Sequence, residues 1–321
     1  MAVLTLAPST DITITARPFH VDTDFERVRG FLAETYALYG RQFNWGLERW
    51  ETNRFAGHVF EEVAGERQWE RDTRLWETLD GRLVGVVNPE GAGEFYIQIH
   101  PDYRHIEDQM MAWAEAHHQA ACPLDATTWP LCAYADERDD LRQDLLARRG
   151  YTYLGVAEAF RTYWLDEPRP DIPLPPGYLF RNLRLDDPDD LARLTATNNV
   201  TFGCIRWTAQ TIRVLARART YRPDLDFVVE APDGTVAAFC TVWYDPRNRV
   251  ATFEPVGTHP DHRRRGLASA MMLLAMERLA ALGAVKAHVN TGAAYYANRV
   301  YEAIGFTHAD RNTGWQKELA W

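Results

Sequence analysis

A chain of 321 residues is longer than an average domain and favours two. Hydrophobic residues make up 46% and charged residues 25%, the balance of a folded globular protein, which excludes a disordered or low-complexity chain. Against 35 basic side chains stand 45 acidic ones, and the formal charge of -10 disfavours nucleic acid as a partner.

The first ten residues lack the basic start and long apolar run of a secretory signal. The longest apolar stretch, around 267–276, is far short of the roughly 20 residues that span a bilayer, so no membrane role is expected. Residues 12–17 read as a short strand carrying an arginine, and helical stretches follow. Strands are expected over 73–79, 82–87 and 94–100, then a helix over 106–118. Cys122, Cys132, Cys204 and Cys240 form no CxxC pair and no zinc spacing. They are read as reduced thiols, which makes the chain cytoplasmic and free of metal.

Residues 167–176 (EPRPDIPLPP) hold five prolines in ten positions. Such a run sustains neither a helix nor a central strand and favours a stiff, extended linker. On either side the order of elements is similar, which suggests two copies of one module: 1–166, the linker 167–176, and 177–321. In the second copy an arginine-bearing strand covers 178–184. Strands at 226–230 and 235–244 are joined across the Pro232, Asp233, Gly234 turn as a hairpin. A further strand at 249–258 leads to a helix over 266–282, stopped at Gly283. A strand at 285–290 and a helix at 293–304 complete the module.

The most informative stretch is 256–269 (VGTHPDHRRRGLAS). A strand ends, a turn with Pro260 follows, and a glycine stands where a helix begins. The free N–H groups of a first helical turn suit a phosphate or pyrophosphate. Gly266 and Ala268 are read as small because a larger side chain would fill the phosphates' space. Arg263, Arg264 and Arg265 add local positive charge. No GxGxxG and no GK[ST] occurs here, so neither a dinucleotide fingerprint nor a P-loop is present.

The RxxGxA pattern of Arg263, Gly266 and Ala268, preceded by a strand and Pro260, instead resembles the acyl-CoA pyrophosphate loop of the GNAT acetyltransferase superfamily. Downstream, 297–306 (ANRVYEAIGF) is similar to that superfamily's last helix and closing Gly-Phe. The resemblance covers roughly 176–321. It implies an α/β (α+β) fold of two tandem GNAT-like domains, each a mixed, mostly antiparallel sheet flanked by helices. The sheet would splay between its central strands to admit a pantetheine arm. Tandem modules with one competent copy resemble two-domain GNATs of the mycothiol synthase type.

The same resemblance implies the site. Backbone groups of Val256, Gly257 and Thr258 would pair with pantetheine. Those of Arg263, Arg264, Arg265, Gly266, Leu267, Ala268 and Ser269 would hold the pyrophosphate of acetyl-CoA or another acyl-CoA, the co-substrate. The superfamily often places an asparagine where this chain has Ala294, and Asn290 or Asn298 is the candidate substitute. Tyr301 takes the position of the acid that protonates the coenzyme thiolate, and Glu254 that of the base. His259 and His262 belong to the turn, and Tyr295 and Tyr296 are read as packing residues.

The first copy aligns Pro101 and Arg104 with Pro260 and Arg263. It has Glu107 in place of Gly266, Gln109 in place of Ala268 and Leu146 in place of Tyr301. It therefore reads as a degenerate copy, unfit to hold CoA in the usual way, and its tryptophans (Trp45, Trp50, Trp69, Trp76) read as core. The expected function is acyl transfer to the amine of a small molecule in the C-terminal module. The alternatives are a non-catalytic acyl-CoA-binding or regulatory module, and an acetyltransferase acting on a protein lysine or N-terminus.

Overall fold

A computed structural model of the chain describes residues 13–60, 68–123, 126–203 and 207–319. The readings made on the first ten residues and on Cys204 lie outside them.

The first part of the chain runs β1 (Ile14–Pro18), α1 (Val21–Tyr39), α2 (Leu47–Phe60), α3 (Gln68–Arg71), β2 (Arg74–Thr78), β3 (Leu83–Asn88) and β4 (Tyr96–Ile99). It continues through a one-turn helix (Pro101–Ile106), α4 (Glu107–Ala120), β5 (Pro130–Asp136), α5 (Asp140–Arg148) and β6 (Thr152–Trp164). The second part runs β7 (Leu179–Asn182), α6 (Pro188–Phe202), α7 (Ala209–Leu215), β8 (Asp226–Glu230), β9 (Val236–Asp245) and β10 (Val250–Thr258). A one-turn helix (Pro260–His262), α8 (Leu267–Ala281), β11 (Lys286–Gly292), α9 (Ala297–Ala303) and β12 (His308–Glu318) complete it. No helix among the described residues is long and apolar enough to cross a membrane.

Local chemistry explains where the helices start and stop. α6 opens on Asp187, whose carboxylate accepts from the Asp189 and Asp190 amides, with Pro188 at its first position. It ends at Gly203 in the left-handed conformation. α8 is apolar on most sides, and Leu267, Met271, Met272, Ala275, Met276 and Leu279 are buried. Each such leucine or methionine contributes about 1.5–3 kcal/mol by leaving water, so packing determines this helix more than propensity does.

The chain forms two compact units, and they are interlaced in sequence. One comprises Met1–Trp45, Gly65–Gly155 and Thr313–Trp321; the other comprises Gly46–Ala64 and Val156–Asn312. A single division at 167–176 therefore does not describe them. Helix α2 belongs to the second unit, β6 enters that unit at Val156, and β12 leaves it at Thr313. The proline-rich run lies within the second unit, where Ile172 and Leu174 pack against the core, so it is a packed segment and not a free linker.

In the first unit β1, β2, β3 and β4 form an antiparallel sheet in that order. Trp76, Ile99, Met110, Met111, Leu131 and Leu146 lie in its core. In the second unit β6 pairs with β11, β11 with β10, β10 with β9, β9 with β8 and β8 with β7. All but the β10–β11 pair are antiparallel. One face carries α8 and α9 over Phe253, Met271, Ala287, Val289 and Tyr301. On the other, α6, α7 and α2 cover Val228, Val236, Phe239 and Trp243. Trp45, Trp50 and Trp76 are buried, as core tryptophans should be, whereas Trp69 is half-buried.

Both parts of the chain repeat one order of strands and helices, and one polar network marks the repeat. Arg17 on β1 donates to both Asp24 oxygens, at 2.6 and 2.7 Å, and to Glu77 at 2.8 Å. Arg181 on β7 does the same to Asp190, at 2.7 and 2.6 Å, and to Glu230 at 2.9 Å. In each copy an arginine one turn on, Arg27 or Arg193, bonds the same aspartate. Two planar guanidinium forks meeting two carboxylates with the same connectivity are a strong internal sign of duplication.

Candidate active site

The site begins where two strands part. β10 runs beside β11 only from Val250 to Thr252, opposite Lys286 to His288. β11 then continues along β6 as far as Gly292. β10 continues along β9, and its register shifts between Phe253 and Val256 before Val256, Gly257 and Thr258 pair with Cys240, Phe239 and Ala238. The splay implied by the sequence resemblance is thus present. It leaves one edge of β10, from Glu254 to Thr258, facing a gap in the sheet. Gly257 has a further reason to be glycine, since a Cβ there would lie 2.3 Å from Cζ of the buried Phe239 ring.

The turn after β10 is built from local bonds. His259 Nδ1 accepts from the Asp261 amide at 3.3 Å, and the His262 amide bonds the His259 carbonyl. Arg264 and Gly266 both have positive φ, 61° and 74°. Helix α8 starts at Leu267, with Gly266 as its cap, and its first bond runs from the Ala270 amide to the Gly266 carbonyl at 2.9 Å. The amides of Leu267, Ala268 and Ser269 consequently have no preceding helical carbonyl to meet and carry the positive end of the helix dipole. A Cβ on Gly266 would meet nothing nearer than Ile172 Cγ2 at 3.8 Å. The left-handed backbone by itself calls for glycine here, in addition to the room for phosphates that the sequence reading invoked.

Arg263, Arg264 and Arg265 are exposed at this helix start. Arg263 donates to the Thr258 carbonyl, and Arg265 to the Tyr178 hydroxyl at 2.9 Å and the Asp261 carbonyl. None of the three is ion-paired among the described residues. In an acidic protein this leaves a local cationic patch beside three outward-pointing amides.

Tyr301 lies on α9, 6% exposed, with its ring edge-on to Phe306. Its hydroxyl makes no hydrogen bond among the described residues. Burial first, then the charges of Glu254 and Cys240, raise its pKa above the ordinary phenol value and keep it protonated. Glu254 is exposed at the register shift of β10, and its carbonyl accepts from Trp243 Nε1. The acid and base candidates from the sequence are thus within electrostatic reach of each other.

The two asparagine candidates separate. Asn298 Nδ2 bonds the carbonyls of Gly292, Ala293 and Tyr295, and its Oδ1 accepts from Arg161 at 2.8 Å. It fastens α9 to β11. Asn290 Oδ1, on the parted section of β11, is buried without a hydrogen-bond partner. Tyr295 and Tyr296 do not pack as expected and are 69% and 71% exposed. Two adjacent residues at the end of a one-turn loop (Tyr295 N–H bonds the Gly292 carbonyl) have no neighbouring element to cover them.

A further residue of this region carries no motif. Glu48, the second residue of α2, is 4% exposed, and the Thr252 side chain on β10 is among the groups that favour its charged form. Burial, and next the charge of Glu254, push its pKa up to about 8. Sequence reasoning missed it because residue 48 falls in the first copy when the chain is divided at the prolines.

The matching loop of the first unit is built differently. Glu107 starts α4 fully buried and accepts from Arg104 and from Arg142 Nε, the latter at 2.8 Å. Arg104 also donates twice to Asp139 at 2.8 Å. An internal carboxylate takes the arginine that, in the second unit, remains available to an anion.

Residues 185–306 match the model of the Acetyltransferase (GNAT) family. The chain carries a GNAT acetyltransferase domain. No curated protein matches the sequence. Among solved structures, a GCN5-related N-acetyltransferase from Sphaerobacter thermophilus aligns with a TM-score of 0.64 at 18% identity, over 95% of each chain. A tandem GNAT protein from the clavulanic acid biosynthesis pathway aligns with a TM-score of 0.65 at 18% identity, over 95% of this chain and 98% of that one. A GNAT-family acetyltransferase from Colwellia psychrerythraea gives 0.61 at 11%, over 95% and 99%. At such identities the likeness is one of fold, that of tandem GNAT proteins. The GNAT match spans α6 to α9 and so contains the parted strands, the turn and Tyr301.

Proposed function

We propose that the chain is an acetyl-CoA-dependent N-acetyltransferase acting on the amine of a small molecule, with its active site in the second unit. The observation that carries this reading is the parting of β10 and β11 directly ahead of the helix start at Gly266. The free edge of β10 at Val256, Gly257 and Thr258 can bond the amides of a pantetheine arm, and Asn290 Oδ1 faces the same need for a donor. The amides of Leu267, Ala268 and Ser269, with the three arginines, suit a pyrophosphate.

Acyl transfer to an amine moves two protons. An amine with a pKa near that of lysine, about 10.4, must lose one before it attacks, and in this reading Glu254 draws it off. Tyr301, kept protonated by burial, supplies one to the departing thiolate. N–H groups on the free edge of β10 polarise the thioester carbonyl. Transfer is direct, within a ternary complex. The first unit is architectural in this reading, because Glu107 occupies Arg104 and Arg142.

Isothermal calorimetry with acetyl-CoA, followed by thiol release with a panel of small amines, tests the proposal. Absence of acetyl-CoA binding would refute it. Binding without thiol release from any amine would leave a binding module in its place.

A further inference from the structure

We propose that the first unit holds a ligand of its own, a small flat-ringed carboxylate bound to Arg74 in a cavity of that unit. The site goes beyond the transferase reading and does not rest on it.

The cavity measures about 510 Å³ and is lined from the end of β1, the start of α1, α3, the start of β2 and α4, all within the first unit. Small-molecule pockets commonly enclose about 300–1,000 Å³. Pro18, Phe19 and Trp113 give it apolar walls, and Arg74 and His117 give it polar ones. Trp113 is held firmly. His117 stacks on it at 4.8 Å with 16° between the rings, and Trp76 meets it edge-on at 5.9 Å. His117 is fixed in turn by Asp72, whose Oδ1 lies 2.9 Å from its Nε2. A wall already fixed costs an incoming ligand little ordering.

The duplication shows what has changed at this corner. Arg17 and Glu77 hold the places of Arg181 and Glu230, and both strand pairs shift register just before the glutamate. Counting from them, Ala16 stands where Phe180 does, and Arg74 stands where Phe227 does. In the second unit those two rings stack at 5.0 Å, and Phe227 is fully buried in the core. The first unit has an alanine and an arginine instead. Two phenyl rings are gone from an interior corner and a cation is added.

Charge then names the ligand. Arg74 Nη2 donates to the Ala16 carbonyl at 3.3 Å, and the guanidinium lies 5.9 Å from the Trp113 ring centroid. Its Nε is buried without a partner, and Arg74 makes no ion pair among the described residues. The other charged residues lining the cavity are engaged. Glu70 accepts from the Val21 amide at 2.9 Å, and Arg71 pairs with Asp72 at 3.3 Å. His20 is exposed and adds no negative charge. One cation without an acid calls for one negative charge, and a planar guanidinium with unmet donors suits a carboxylate. A phosphate, with close to two charges, matches a single arginine less well. A ring joined to the carboxylate has Phe19 and Trp113 to lie against.

The test titrates the full chain with indole-3-carboxylate and benzoate, read by calorimetry and by the protein's tryptophan fluorescence. At least one of them should bind with a Kd of about 1 mM or tighter. Uncharged indole and inorganic phosphate should each bind at least about 10-fold more weakly. Arg74→Met should weaken carboxylate binding about 10–100-fold, the usual worth of hydrogen bonds to a charged group. Arg74→Phe, which restores the residue of the second unit, should fill the space and abolish binding. Binding of neither carboxylate would overturn the proposal, and so would unchanged affinity in folded Arg74→Met. If Arg74→Met fails to fold, the wild-type chain decides: indole binding as tightly as indole-3-carboxylate overturns the proposal. Phosphate binding more tightly than both carboxylates overturns it too. No arm involves acetyl-CoA, so failure here and failure of the transferase reading are seen separately.

Discussion

Replacing Gly266 separates what the helix start does for the fold from what it does for a phosphate ligand. With φ at 74° and the nearest side-chain atom 3.8 Å from where a Cβ would stand, Gly266→Ala meets no clash and suffers only the left-handed backbone penalty. That penalty is about 1–2 kcal/mol, and for a unit of this size it lowers Tm by about 2–8 °C. Gly266→Glu carries the same penalty and adds a carboxylate beside the pyrophosphate's place. One unit charge against another at about 4 Å is worth about 1 kcal/mol in water and about 4 kcal/mol near a protein surface. Acetyl-CoA affinity should therefore fall about 5-fold to 10³-fold below that of Gly266→Ala. The first unit shows the geometry available to such a carboxylate, because Glu107 folds onto Arg104 and Arg142. Calorimetric titration of both variants with acetyl-CoA, alongside thermal melts, reads the two effects independently. Equal acetyl-CoA affinity for the alanine and glutamate variants would refute the pyrophosphate role of this helix start.

Tyr301→Phe should leave acetyl-CoA affinity nearly intact and reduce thiol release by about 10²–10⁴-fold; unchanged turnover removes Tyr301 from the reaction. Gly257→Ala forces a methyl toward the Phe239 ring and should cost about 1–3 kcal/mol, most of it recovered when Phe239→Leu is added; a double-mutant cycle of thermal melts with no coupling contradicts the close contact. Acid unfolding should depend on Asp24. Burial opposes its ionisation, but bonds from Arg17, the His20 amide and Arg27 outweigh burial and hold its pKa at about 2, below the ordinary 3.8. Because the folded value is the lower one, the stabilisation is complete above about pH 4 and disappears as pH falls toward 2. Asp24→Asn should flatten the stability-versus-pH curve in that window, read by far-UV dichroism, and an identical curve would show that the ion pair contributes nothing.

Much of the second unit could be read from the sequence because its signals are local. The hairpin across Pro232, Asp233 and Gly234 joins β8 and β9, and Gly234 takes a φ of 85°. Arg263, Gly266 and Ala268 lie at a strand-turn-helix junction that the sequence marked by a strand end, the Pro260 turn and a glycine at the helix start, read together with the Gly-Phe that closes the last helix. α9 is shorter than the periodicity suggested, starting at Ala297, because residues 293–296 are spent on the loop that Asn298 fastens.

A length of 321 residues allows two domains, and the sequence by itself determined that the chain holds two copies of one α/β pattern, the second with a glycine-capped helix start after its strand. What only the tertiary structure decided is which segments share a core. Burial assigns α2 to the second unit and Thr313–Trp321 to the first, through contacts between residues far apart in sequence that no local pattern encodes. Only packing, likewise, buries Glu48 within the second unit, makes Asn298 a fastener through Arg161 and leaves Asn290 with a buried oxygen to satisfy. Local chemistry fixes where amides point; which side chains meet across a gap is settled only when the whole chain has packed.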